Sequence, residues 1–137
     1  ELPFEDDTAD LILAFMSLMD LDDMPGALRE ISRVLQPRGR LVAAVVHPIN
    51  SAGSFATREE EGAPFVIDSY AGSRRYTDAI ERDGIPMTFN SFHFTLADYS
   101  EALEEAGFLI ERLQELYDDE NPYWSRVPLF LRIDAIA

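Results

Sequence analysis

The sequence predicts an α/β fold built around a partly parallel sheet, and three observations point there. Two runs, Ala9 to Phe15 and Leu41 to Val46, are almost uninterruptedly apolar, the pattern of strands covered on both faces. Between them, Leu28, Ile31, Val34 and Leu35 recur at helical spacing, with Arg29, Glu30 and Arg33 on the opposite face. The connections are short, so strand, helix and strand form a βαβ unit with a right-handed crossover. At 137 residues and 47% apolar content the chain fits one domain with a sizeable core.

The elements follow in order. Acidic residues Glu5, Asp6 and Asp7 precede the first strand. Asp22 or Asp23 caps the helix, and Pro25 sits in its first turn, where a missing N–H costs nothing. The helix is expected to stop near Gln36, because Pro37 disfavours helical geometry in the residue before it, and Arg38-Gly39 then turns the chain. After Leu41 to Val46, residues 48 to 94 form an excursion over the carboxyl edge of the sheet, with glycines at 53, 62, 72 and 84. Within it Phe65 to Tyr70 and Met87 to Phe94 are expected to pair as short strands. Thr95 caps a helix through Ala106, with Asp98 at the capping-box position and Leu96, Tyr99, Leu103 and Ala106 on the apolar face. Gly107 supplies the left-handed C-cap. Phe108 to Leu116 is a third strand, Asp118 to Val127 a polar loop, and Pro128 to Ile136 a last strand.

Charge and composition narrow the function. With 26 acidic and 11 basic side chains the formal net charge is -15. No basic stripe exists to meet phosphates, which argues against nucleic acid and against an anionic membrane surface. No apolar run approaches the roughly 20 residues of a membrane span. The absence of cysteine excludes disulfides and thiolate chemistry and suits a cytoplasmic protein. Two histidines are too few to suggest a metal site. The runs Glu59-Glu60-Glu61 and Asp118-Asp119-Glu120 read as solvated loops.

Two passages carry more information. Leu2-Pro3-Phe4, an acidic loop and Thr8-Ala9-Asp10-Leu11-Ile12 form one; Ala27-Leu28-Arg29-Glu30-Ile31-Ser32-Arg33-Val34-Leu35-Gln36-Pro37-Arg38-Gly39-Arg40-Leu41 forms the other. Both resemble class I S-adenosylmethionine-dependent methyltransferases, in particular the small-molecule enzymes related to the ubiquinone and menaquinone methyltransferases. Thr95 to Leu103, Ala106-Gly107-Phe108 and Glu115 resemble the family's late helix and strand. Ala9 stands where Phe is usual, and Arg38 where the first Gly of Pro-Gly-Gly is usual.

The resemblance implies a partial Rossmann-like methyltransferase sheet of about four strands, the last antiparallel between two others, with helices and a capping excursion. It implies S-adenosylmethionine as cofactor of the intact enzyme and a small-molecule acceptor. The family's Gly-rich cofactor turn would precede Glu1, and no Gly-x-Gly occurs in the chain, so residues 1 to 137 are expected to be the C-terminal portion of a truncated methyltransferase domain. A chain of this kind is expected to be inactive alone and to self-associate through its exposed sheet edge. The competing class is a non-catalytic dimerisation or partner-binding module derived from the fold.

Candidate site residues follow from the carboxyl ends of the strands, where open α/β sheets bind ligands. The resemblance makes Ala14, Phe15, Met16 and Ser17 the cofactor-flanking segment; the alternative is that Phe15 and Met16 are core. His47 closes the second strand and His93 lies between Phe92 and Phe94. Each is either a general base or a histidine bonded to backbone. Tyr70 and Trp124, in loops beyond strand ends, are the aromatic candidates for binding the acceptor, whereas Tyr99 belongs to the core.

Overall fold

A computed structural model describes residues 2 to 137. Its main sheet contains β1 (Ala9–Phe15), β2 (Leu35–Val46), β7 (Leu109–Leu116) and β8 (Phe130–Ile136) in the order β1-β2-β8-β7. β1 and β2 run parallel, while β8 is antiparallel to both neighbours, β2 and β7. The sheet thus has parallel strands with one antiparallel strand inserted between them, as the resemblance implied. Helices α1 (Met24–Val34) and α3 (Leu96–Glu105) cover one face. There Leu41, Ala43 and Val45 of β2 and Leu131, Ile133 and Ala135 of β8 meet Leu28 and Ile31 of α1 and Tyr99, Ala102 and Leu103 of α3. Leu96, expected on the apolar face of α3, is exposed instead, because it stands in the first turn beyond the edge of the core.

Local chemistry explains the boundaries. Asp23 caps α1 by accepting from the Gly26 N–H at 2.8 Å. α1 ends at Val34, two residues before the expected stop, since Leu35 is already extended (ψ 138°) and joins β2. The register of β1 on β2 then jumps from Ala9–Leu35 to Leu11–Arg40. Pro37 and a left-handed Arg38 (φ 70°) fill that bulge. Arg38 therefore occupies a backbone conformation suited to the glycine usual in the related motif. Next to it, a side chain at Gly39 would meet the Gln36 carbonyl at 2.8 Å, so only glycine fits. Thr95 and Asp98 form the reciprocal capping box of α3, at 3.1 and 2.7 Å. Gly107 takes φ 88° after it.

The two opening motifs touch. Arg33 of α1 donates to the carbonyls of Leu2 and Phe4 and to Asp6 and Glu30, while Glu30 accepts from the Leu2 N–H. Arg33 and the Leu2 N–H hold the Glu30 carboxyl down, to about 2.

Two expectations need correction. β1 was expected to be covered on both faces, yet Leu11, Leu13 and Phe15 are 59, 66 and 69% exposed. The helices lie on the other side, and no described element covers this face. The excursion pairs differently too. β4 (Phe65–Ile67) pairs with β3 (Gly53–Phe55), not with residues 87 to 94. Those residues lie in β6 (Ile85–His93), which pairs with β5 (Arg74–Arg82) through the Asp83-Gly84 turn. The turn residues both have positive φ, the geometry of a tight hairpin, and a local hairpin closes a shorter loop than the pairing expected from alternation alone. A one-turn helix, α2 (Pro48–Ser51), joins β2 to β3.

Candidate functional site at the carboxyl ends of the strands

At the end of β1, Ala14 is buried, Phe15 faces solvent and Met16 turns the chain out of the sheet with φ 50°. A non-glycine residue in the left-handed region costs about 1–2 kcal/mol. The conformation is held by the Met16 N–H donating to the Ala44 carbonyl at 2.8 Å. Ser17 is exposed, and the 3-10 turn Leu18–Asp20 buries Leu18 and Met19 while leaving Asp20 outside. The segment Ala14 to Ser17 is therefore mixed: Ala14 belongs to the core and Met16 packs against it, while Phe15 and Ser17 form an open wall.

The hairpin β5–β6 leans on the turn that follows this wall. The Ser91 hydroxyl, almost fully buried, donates to Asp20 at 2.6 Å. Arg75 pairs with Asp22 and lies over the Phe92 ring, 4.7 Å from its centre. Tyr76 sits beside Ser91, and burial pushes its phenol pKa up. Burial pushes that of Tyr99, which neighbours Tyr76 and Asp20, up as well. Asp20 and Arg75 went unnoticed in the sequence, and Tyr76 was noted there only among the tyrosines of a possible aromatic pocket. Ser91 left a signal, since it shares the alternation face of His93.

His47 is fully buried at the end of β2. Its Nδ1 accepts from the Ile49 N–H at 3.1 Å, so the neutral ring carries its proton on Nε2. Burial lowers its pKa, opposed by Glu115, whose Oε1 is 3.2 Å from Nε2. His93, equally buried, engages both ring nitrogens inside the protein. Nε2 meets the Tyr70 carbonyl at 2.9 Å and must donate there, so Nδ1 accepts from the Ser51 hydroxyl at 2.7 Å. The two histidines thus stand in separate polar contacts, one joining β2 to β7 and the other joining α2, β6 and the Tyr70 loop.

Tyr70 and Trp124 are also separate. Tyr70 stacks edge-on against His93 and its hydroxyl oxygen accepts from the Leu96 N–H at 3.2 Å. Trp124 packs edge-on against Phe55, together with Tyr123 and Phe65, and Arg58 lies over its ring. Among the described residues no helix is long and apolar enough to cross a membrane.

Comparison with known proteins agrees with this geometry. Residues 1–43 match the family model described as "Methyltransferase domain". The mitochondrial arginine-hydroxylase NDUFAF5 of Danio rerio is 29% identical over 145 residues, covering 99% of this chain and 43% of that protein. Methyltransferase GfsG of Streptomyces halstedii is 32% identical over 110 residues, covering 77% of this chain and 37% of that protein. The chain therefore spans less than half the length of these curated relatives. A crystal structure of an S-adenosylmethionine dependent methyltransferase from Mesorhizobium loti superposes with TM-score 0.76 at 23% identity, over 100% of this chain and 65% of that one. With that superposition and the match of its opening residues, the chain carries the Rossmann-like fold of the S-adenosylmethionine-dependent methyltransferases.

Proposed function

We propose that this chain is the C-terminal portion of an S-adenosylmethionine-dependent methyltransferase domain that transfers a methyl group to a small-molecule acceptor. One observation carries the reading: the order β1-β2-β8-β7 with β8 alone antiparallel, which places the segment Ala14 to Ser17 at the carboxyl end of a parallel edge strand. That segment fits the methionine end of the cofactor. Phe15 offers an exposed apolar wall, and the left-handed Met16 opens the backbone beside it. The bound cofactor would supply the electrophilic methyl group. The chain's own part is to align the acceptor and exclude water, which needs few acid–base side chains.

The excursion, residues 48 to 94, would provide the acceptor side, with the β5–β6 hairpin latched to Asp20 and Asp22. Tyr70 and Trp124, in loops beyond strand ends, are the aromatic side chains proposed to meet the acceptor. Among the described residues His47 Nε2 has no hydrogen-bond partner, but the ring is fully buried behind the half-exposed Glu115 and would meet a ligand only as that side chain turns aside. The ring of His93, bonded at both nitrogens, supports a bracing role. The hydroxylase among the relatives bears on the reaction: one fold hosts more than one chemistry, so transfer has to be assayed directly.

A second reading is a partner-binding module that self-associates, favoured by the uncovered Leu11, Leu13 and Phe15. Calorimetric titration with S-adenosylhomocysteine separates the two. Micromolar binding by the 137-residue chain upholds a cofactor site on these residues. No heat at millimolar ligand removes that claim and leaves the module.

A further inference from the structure

The helix-bearing side of the sheet holds a recess between the start of α3 and the outer strand β7. Its open volume is about 510 Å³. Leu96, Leu113 and Leu131 form apolar walls, and His47, Glu115 and Tyr117 form the polar end. The Asp20–Ser91 latch contributes nothing to this lining.

The polar end is incompletely satisfied. His47 is 0% exposed, and its Nδ1 already accepts from the Ile49 N–H, so its proton is on Nε2. Glu115 Oε1 stands 3.2 Å from Nε2, out of line, so among the described residues Nε2 has no hydrogen-bond partner; the half-exposed carboxylate covers it, and an occupant reaches Nε2 as Glu115 turns aside to accept from that occupant. The other carboxylate oxygen accepts from the Tyr117 hydroxyl at 2.9 Å. A buried N–H left unpaired costs about 1–3 kcal/mol, so the recess favours an occupant that accepts a hydrogen bond. The neighbouring carboxylate favours one that also donates.

Charge narrows the occupant further. An anion would satisfy Nε2–H but face Glu115. A cation would pair with Glu115 but meet the Nε2–H. A metal ion needs the Nε2 lone pair, which would move the proton to Nδ1, against the Ile49 N–H. A neutral hydroxyl meets both groups through one oxygen. We propose that this recess binds a neutral hydroxyl on an apolar body, an alcohol or phenol, whose oxygen accepts from His47 and whose proton is donated to Glu115, with the body against Leu96, Leu113 and Leu131. The site does not depend on methyl transfer by the chain.

Nuclear magnetic resonance of ¹⁵N-imidazole-labelled protein tests it, because the sequence holds only two histidines. The probe is 4-methylphenol; toluene, benzylammonium and benzoate match its ring without the neutral hydroxyl. The expected result is a saturable shift of the His47 signals with 4-methylphenol, at least about tenfold weaker for the three controls. Glu115→Ala, at a half-exposed position, should weaken 4-methylphenol by about tenfold while the His93 signals stay in place, reporting an intact fold. The proposal is overturned if the His47 signals do not move, if toluene binds as tightly, or if Glu115→Ala binds 4-methylphenol as the parent does.

Discussion

Single residues carry two kinds of stored cost in this protein, backbone strain and an uncompensated buried ring. Arg38 is the clearer case of strain, with φ 70° at an exposed turn and its N–H bonded to the Ala137 carbonyl at 3.0 Å. Replacing it by glycine keeps that bond and removes the Cβ conflict, partly offset by the greater freedom of glycine in the unfolded chain. Arg38→Gly is expected to stabilise by about 0.5–1 kcal/mol, read as a higher urea midpoint with an unchanged slope. A lower midpoint would show that the arginine side chain contributes more than its backbone costs. His47 is the buried ring. Its native pKa is lowered by burial, so below about pH 6.5 the unfolded chain takes up a proton that the native state resists. Stability supplied by the neutral ring is present above that pH and declines as pH falls toward the native pKa. Urea midpoints measured between pH 8 and 5 should fall, and the slope should lessen in His47→Gln; an equal slope would clear His47 of the effect.

At the scale of elements, the β5–β6 hairpin is anchored near the strand ends through its base. Its exposed tip carries Ile80 and Ile85, and its base is tied by Ser91 to Asp20 and by Arg75 to Asp22. The Ser91 bond is the buried one and so is less screened by solvent than the exposed Arg75 pair. Ser91→Ala should therefore loosen the hairpin, with amide exchange in residues 74 to 93 faster by about tenfold and the main sheet unaffected. Exchange unchanged in the hairpin would mean that the Arg75 pair and the Phe92–Phe94 stack hold it without Ser91.

For the whole molecule, the decisive feature is asymmetric cover of the sheet. One face is filled by α1 and α3; on the other, Leu11, Leu13 and Phe15 form a row on an edge strand whose outer side has no described partner. Apolar area of this kind is worth about 25 cal/mol per Å² when removed from water. Light scattering of the chain is expected to show association that grows with concentration, and Leu13→Lys should shift it toward the monomer. A clean monomer at all concentrations, without binding of an apolar dye, would contradict this.

The sequence by itself determined the α/β class, the two apolar strands, the cap residues of both long helices and the antiparallel last strand, the last of these through resemblance. Most rest on local chemistry: Asp23 and Thr95 cap through neighbours a few residues away, and Pro37 bars the helix from running past Gln36. Ala14 to Ser17 were legible as a strand end for the same reason. Tertiary structure alone decided the rest. Strand pairing in the excursion depended on which partner closed the shorter loop, not on alternation, so β3 and β5 took the partners expected to meet each other. Ser91 with Asp20, and His47 with Glu115, lie 71 and 68 residues apart, and no local pattern announces such pairs. The burial of β1 could not be read from its apolar run, because a run states what a strand can bury and only the packed chain shows what covers it.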